Sequence, residues 1–163
     1  MNLILKASFP ILGFAAAYFV TITNMRSGDA HDEKFQSVML PKEIVEKFEQ
    51  LAFTEYKPKE AVLKYVSPDV IEHDPSIPGG TKEDIIKHLE RLDWSNGQGP
   101  TREIKKMLVQ DDIVMVFHHL IREPGTLGIA AMDMFRVQDG LIVEHWSVLQ
   151  NIPEDSPNPY GMF

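Results

Sequence analysis

An aspartate inside an apolar stretch is the residue of this sequence that most clearly suggests chemistry. Asp133 is flanked on both sides by the apolar residues of the run 129–135. A carboxylate removed from water without a partner costs several kcal/mol, so this group must be paired, neutralised or used. One interpretation is a general base whose pKa is raised by burial and which removes a proton next to a carbonyl group. The other is a structural ion pair, either with an arginine such as Arg122 or across a dimer interface.

Hydrogen-bond donors for such chemistry are available on the neighbouring predicted strands. Candidate donors to a developing enolate oxygen are His118, His119, His145 and the indole N–H of Trp146. His118 and His119 are adjacent on one strand and must face opposite sides, so only one of them can enter a cavity. The alternative for either histidine is a core residue bonded to a backbone carbonyl. Trp146 is more often a core residue than a catalytic one, although a cavity wall would combine both roles.

A further histidine, His73, precedes Asp74 and Pro75 at the start of a turn-rich loop. It could lie at the mouth of a cavity, or it could only contact a helix–strand junction. The histidines lack zinc-ligand spacing, so neither a metal nor another cofactor is expected. The absence of cysteine and of a Gly-x-Ser-x-Gly motif argues against a nucleophilic hydrolase.

The turn after Asp133 decides which residue lies opposite it. Asp139 and Gly140 form a pair that tolerates positive φ, and apolar segments flank them, so a tight hairpin is predicted. A two-residue turn would place Asp133 opposite Trp146, whereas a three-residue turn with a bulge would place it opposite His145.

Helices are predicted in the first half of the domain and strands in the second. A helix begins at Pro41, a second follows Pro58, and a third is capped by Thr81 with Asp84 as its partner. Val70 begins a short extended segment. The later strands are predicted over 103–109, 113–122, 128–137 and 141–149.

This order indicates an α+β fold in which helices pack on one face of a curved antiparallel sheet. A cone of this kind leaves an opening between the helices and the concave sheet, where a small apolar ligand could bind. Apolar residues on both faces of several strands would leave an exposed hydrophobic surface unless a second copy covered it.

The sequence also resembles a known family. The residues that carry the resemblance are Asp133-x-Phe135-Arg136-x-x-Asp139-Gly140-x-Ile142-x-Glu144-His145-Trp146, preceded by His73-Asp74-Pro75, Gly79-Gly80 and the strand that ends in Phe117-His118-His119. It resembles the SnoaL-like proteins of the nuclear transport factor 2-like superfamily, over roughly residues 45–163. The resemblance implies the same cone and, commonly, a dimer through the exposed sheet face.

Two positions depart from the family pattern. Ser147 replaces an aspartate that often follows the Glu-His-Trp motif, and Phe117-His118-His119 replaces a His-x-His pair. Both changes remove polar groups that could share in catalysis, so transfer of the fold is safer than transfer of the chemistry. Because it keeps the position of the second histidine of that pair, His119 is the preferred cavity residue.

Together these features predict a protein that binds a small hydrophobic carbonyl compound. If it is an enzyme, we expect a cofactor-independent isomerase or aldol-type cyclase with Asp133 as base and His119 and His73 as polarising or orienting groups. The expected binding residues are His118, His145, Trp146, Phe135 and Phe117. The competing hypothesis is a non-catalytic ligand-binding protein or dimeric scaffold in which Asp133 is held structurally.

Composition restricts the partners. The chain has 163 residues, of which 44% are hydrophobic, and a formal charge of −8 with no dense basic stripe, so a nucleic acid partner is not expected. Residues 1–30 contain an apolar run and resemble a cleaved signal peptide, which leaves residues 31–163 as the SnoaL-like domain. Export is therefore expected. An uncleaved membrane anchor and a cytosolic apolar helix are the alternatives.

Overall fold

The computed structural model describes residues 39–92 and 99–163, all of which belong to the compact unit formed by residues 36–163. The predictions for residues 1–30, including the signal peptide and the domain boundary after it, lie outside the described residues. Within the described ranges, no helix combines the length and apolar character needed to cross a membrane.

Within the described residues, three α-helices precede most of the sheet. They are α1 (Pro41–Glu49), α2 (Pro58–Tyr65) and α3 (Lys82–Glu90). A π-helical turn over Gln50–Thr54 extends α1 and was not predicted.

Local chemistry accounts for the starts of these helices. Pro41 and Pro58 each occupy the first turn, where the missing N–H would be unpaired in any case. At the start of α3, the Thr81 hydroxyl accepts a hydrogen bond from the backbone N–H of Asp84, whose carboxylate accepts from the Thr81 hydroxyl at 2.6 Å. The predicted capping box is therefore confirmed.

The sheet has five strands in the order β1-β5-β4-β3-β2. They are β1 (Val66–Glu72), β2 (Thr101–Gln110), β3 (Ile113–Ile121), β4 (Ile129–Gln138) and β5 (Leu141–Asn151). β1 runs parallel to β5 and the other neighbours are antiparallel. The four later strands occupy their predicted positions with small shifts at the ends, but β1 begins at Val66 rather than at Val70.

The hairpin between β4 and β5 has the predicted two-residue turn. Asp139 and Gly140 have φ angles of 50° and 78°, the left-handed values that this tight turn requires. Gln138 pairs with Leu141 on either side of them.

Beyond the turn the register shifts by one residue, because β5 carries an extra residue, Val143. Asp133 therefore lies opposite Ser147, and neither predicted neighbour, Trp146 or His145, is correct. The hairpin combines the two-residue turn of one alternative with the bulge of the other.

Side chains alternate between the two faces of the sheet. On β4, Asp133 and Phe135 are buried on the inner face, whereas Met132 and Met134 are exposed on the outer face. Val148 of β5 is 70% exposed beside Met132. This outer face is the surface that the predicted homodimer would use, and the dimer stays a prediction.

Candidate functional site

A cavity of about 100 Å³ is lined by α1, the π-helical turn, α3 and the inner face of the sheet. Most of its wall is apolar. Representative wall residues are Phe48, Phe53, Ile85, Leu89, Phe135 and Ile142. Charged and polar side chains, Asp133 among them, also reach the cavity. The combination of an apolar wall and a few convergent polar groups is typical of a small-molecule site.

Asp133 is almost completely surrounded by hydrogen-bond donors. Its Oδ2 accepts from Arg102 and contacts His118 Nε2 at 2.9 Å, and its Oδ1 accepts from the Ser147 hydroxyl at 2.7 Å. His145 Nε2 lies 3.8 Å from Oδ1. Burial by itself would raise the pKa of this carboxyl, but the charge of Arg102, the hydrogen bond from His118 and the nearby His145 imidazole hold the pKa well below its usual range.

The expectation of a raised pKa for Asp133 is therefore wrong, because a cation and hydrogen-bond donors outweigh the effect of burial. That cation is Arg102 and not Arg122, the residue named from the sequence. Arg102 lies at the start of β2, and its side chain is only 7% exposed. Its Nη1 lies 3.1 Å from Glu49 Oε1, and the guanidinium stands 4.3 Å from the centre of the Phe53 ring.

His145 is the second cation at the polar end of the cavity. Its Nδ1 donates to the Glu72 carboxylate at 2.8 Å, while Nε2 points toward Asp133. Burial would lower the pKa of this imidazole, but Asp133 and Glu72 raise it to about 9. His145 is therefore an imidazolium at neutral pH, and the expectation that it contributes to the site agrees with its position on the cavity wall.

The adjacent histidines of β3 face opposite sides of the sheet, as expected. The residue that enters the cavity is His118, however, and not His119 as predicted. His118 is fully buried and lines the cavity, whereas His119 lies on the other face, where its ring contacts Phe163 and the carbonyl of Leu127. Burial lowers the pKa of His118 below its ordinary value, and the hydrogen bond to Asp133 only partly opposes this effect. The ring is therefore mainly neutral at pH 7. His119 does not reach the cavity, because its parity on the strand directs it outward.

Three other predicted residues also lie away from the cavity. His73 pairs with Glu144 at 2.9 Å and stacks on the Trp146 ring at 5.0 Å. Trp146 lies opposite Met134 of the outer face, and Phe117 packs on Phe163. Phe135, by contrast, lines the cavity as expected and stacks on the His145 ring at 4.8 Å.

Four polar residues of the network of ion pairs and hydrogen bonds around Asp133 were not identified from the sequence. They are Glu49, Glu72, Arg102 and Ser147. Ser147 was noted only as the loss of an aspartate, yet its hydroxyl bonds directly to Asp133. Arg102 carried no sequence signal, because a single arginine at a strand end is usually solvent-exposed.

Comparison with known proteins identifies the fold. A family model described as a SnoaL-like domain matches residues 45–145. No curated protein sequence matches the chain.

Several solved structures are similar. A nuclear transport factor 2-like protein of unknown function from Cytophaga hutchinsonii is 16% identical with a TM-score of 0.57, over 71% of this chain and 94% of that chain. IdmH, a candidate polyketide cyclase from Streptomyces antibioticus, is 19% identical with a TM-score of 0.52, over 68% and 92%. A candidate polyketide cyclase from Sinorhizobium meliloti is 16% identical with a TM-score of 0.54, over 68% and 100%. These likenesses confirm the predicted α+β cone.

Proposed function

The chain belongs to the SnoaL-like domain family, and from this membership we propose that its cavity binds a small, neutral, largely apolar carbonyl compound. The carbonyl oxygen accepts a hydrogen bond from His145, and the rest of the molecule contacts the apolar wall. The observation that carries the proposal is the position of His145 on the wall of a largely apolar cavity.

The geometry of His145 supports its role as the donor. Nδ1 is already bonded to Glu72, which fixes the orientation of the ring. Nε2 lies 3.8 Å from Asp133 Oδ1, longer than a hydrogen bond, so its proton remains able to reach a ligand oxygen. A charged donor in a cavity with little water binds a carbonyl oxygen more strongly than a neutral one does.

The balance of charge favours a neutral ligand. Arg102 and His145 supply two positive charges, and Asp133 and Glu72 supply two negative ones. Asp74 and Arg122, which also line the cavity, carry opposite charges that cancel. An ionised ligand would therefore add a buried charge without a partner, at a cost of several kcal/mol. The cavity volume of about 100 Å³ is of the same order as that of an apolar cavity of roughly 150 Å³ that accepts benzene in another protein, so single-ring compounds are the largest suitable probes.

Binding can be tested with cyclohexenone and with methylenecyclohexane, its apolar counterpart, by ligand-observed NMR at pH 7. We expect both compounds to show saturable binding. His145→Gln should lower the affinity for cyclohexenone by about tenfold, since a neutral donor replaces a charged one. The same substitution should leave methylenecyclohexane unaffected, which also shows that the cavity is intact. The matched control is His73→Gln, which changes an exposed histidine on the other side of the sheet.

Failure of both compounds to bind would contradict the proposal. So would an unchanged affinity for cyclohexenone in His145→Gln.

The same geometry supports a second candidate function, isomerase or aldol-type cyclase chemistry. The observation that favours it is an Asp133 carboxylate 3.8 Å from the His145 imidazolium at one end of the cavity. Asp133 would take a proton from the carbon next to the carbonyl, and the electron pair of that C–H bond would form the enolate. His145 would stabilise the enolate oxygen, and the proton would then return to carbon.

This second function predicts exchange of the α-protons of cyclohexanone in deuterium oxide. We expect the protein to accelerate exchange and Asp133→Asn to abolish the acceleration, because an amide cannot accept the proton. Asp112→Asn, a change at the turn between β2 and β3, is the control. Equal rates with wild type and Asp133→Asn would leave binding alone as the function.

A further inference from the structure

Glu49 is a buried acid that neither binding nor proton abstraction uses. It is the last residue of α1 and is 4% exposed. Burial raises its pKa to about 7, although the charge of Arg102 opposes this rise. Within the described residues its Oε1 has no hydrogen-bond partner of acceptable geometry. A buried acid of this kind changes its charge near neutral pH, which a surface glutamate does not.

One guanidinium connects Glu49 to the site. Arg102 Nη1 lies 3.1 Å from Glu49 Oε1, and Arg102 Nη2 donates to Asp133 Oδ2. Arg102 Nε donates to His118 Nδ1 at 3.3 Å. Arg102 therefore lies between two carboxyl groups, and they share its charge only when both are ionised.

A second cavity, of about 150 Å³, lies on the far side of Arg102. Its wall includes Glu49 and Arg102 together with Gln50 and Thr54 of the π-helical turn. Arg102 and Phe53 line both this cavity and the central one. Protons can therefore reach Glu49 from this side without passing through the ligand cavity. Single π-helical turns within helices are frequent at functional sites.

We propose that Glu49 is a positioning residue for the site, whose ionisation draws Arg102 away from Asp133 and so makes Asp133 a stronger base. The inference rests on the proposed function, since it assigns a purpose to the basicity of Asp133. With Glu49 protonated, Arg102 is held by Asp133 alone. With Glu49 ionised, Arg102 is shared, and the added negative charge favours the protonated form of Asp133.

Charged groups from four elements lie around Glu49. They are Arg102 from β2, Asp133 from β4, His145 from β5 and Glu46 from the preceding turn of α1. Arg102 and His145 lower the pKa of Glu49, while Asp133 raises it. By reciprocity, ionisation of Glu49 must raise the pKa of Asp133.

The coupling can be measured without any ligand, by NMR of the side-chain carboxyl carbons and of the Arg102 Nε between pH 5 and 9. We expect the Glu49 resonance to titrate with a midpoint of about 7 and the Asp133 and Arg102 resonances to move with the same midpoint. In Glu49→Gln this step should vanish. It should persist in Glu46→Gln, which removes an acid from the wall of the same second cavity. Imidazole resonances report the midpoints of His118 and His145 separately.

The proposal is overturned if the Asp133 and Arg102 resonances stay flat while Glu49 ionises, or if their step persists in Glu49→Gln. The wild-type titration alone decides the first outcome, even if the variant does not fold. Because no ligand is used, a failure of cyclohexenone binding would remove the proposed function and leave this coupling intact. If exchange of cyclohexanone is observed, its rate should rise with the ionisation of Glu49, and this rise should be absent in Glu49→Gln.

Discussion

Replacing Arg102 with methionine is expected to lower the free energy of unfolding by about 3–5 kcal/mol at pH 8. The side chains of Asp133 and Glu49 are only 8% and 5% exposed, and both contact this guanidinium. Methionine fills most of the same volume but leaves the two carboxyl groups without their cation. The penalty should become smaller as the pH falls, because protonation removes the unpaired charges. Chemical denaturation at several pH values measures both effects.

Arg136→Met is the matched control for this variant. Arg136 also bridges two carboxylates, Asp112 at 3.3 Å and Glu144 at 2.9 Å, but its side chain is 34% exposed. Exposed ion pairs contribute little to stability, so the midpoint of denaturation should hardly change. Equal losses in the two variants would mean that the buried network has no special energetic role.

The stability of the domain is also expected to fall as the pH rises from 5 to 9. The pKa of Glu49 is about 7 in the folded state and 4.5 in the unfolded state, so protonation favours the folded state. This contribution to the free energy of unfolding is complete below pH 4.5 and is lost as the pH rises through 7. His145 has a folded pKa of about 9 against 6.5, so its contribution is lost between pH 6.5 and 9. Each difference corresponds to about 3 kcal/mol.

Glu49→Gln separates these two contributions. Glutamine resembles the protonated acid at every pH, so the variant should match wild type near pH 4.5 and exceed its stability by about 3 kcal/mol at pH 8. The decline due to His145 should remain above pH 6.5 in both proteins. A variant less stable than wild type at pH 8 would show that Glu49 stabilises the fold mainly as a partner of Arg102.

Features that depend on neighbours in the chain were predicted well. The helix starts at Pro41 and Pro58, the capping box of Thr81 and the tight turn at Asp139-Gly140 all follow from the conformations that these residues favour. Helices followed by strands were sufficient to indicate the α+β cone. A carboxylate within an apolar run was correctly recognised as buried.

Features that depend on pairing between distant segments were not predicted. The bulge at Val143 moves Asp133 to a position opposite Ser147, and the turn residues contain no information about a bulge three residues later. The sequence showed that His118 and His119 face opposite sides of the sheet, but not which of them faces inward. That choice depends on which face of the sheet the helices cover.

Asp133 combines one property that the sequence determines, its burial, with one that only the tertiary structure determines, its charge state. Its burial is a local property of the run 129–135, and the alternation of side chains along a strand follows from the residue types alone. Its pKa depends on Arg102, which is 31 residues away in the chain and meets Asp133 only when β2, β3 and β4 assemble side by side. Electrostatic energy depends on distances in space, so the protonation of the site is decided by the tertiary structure.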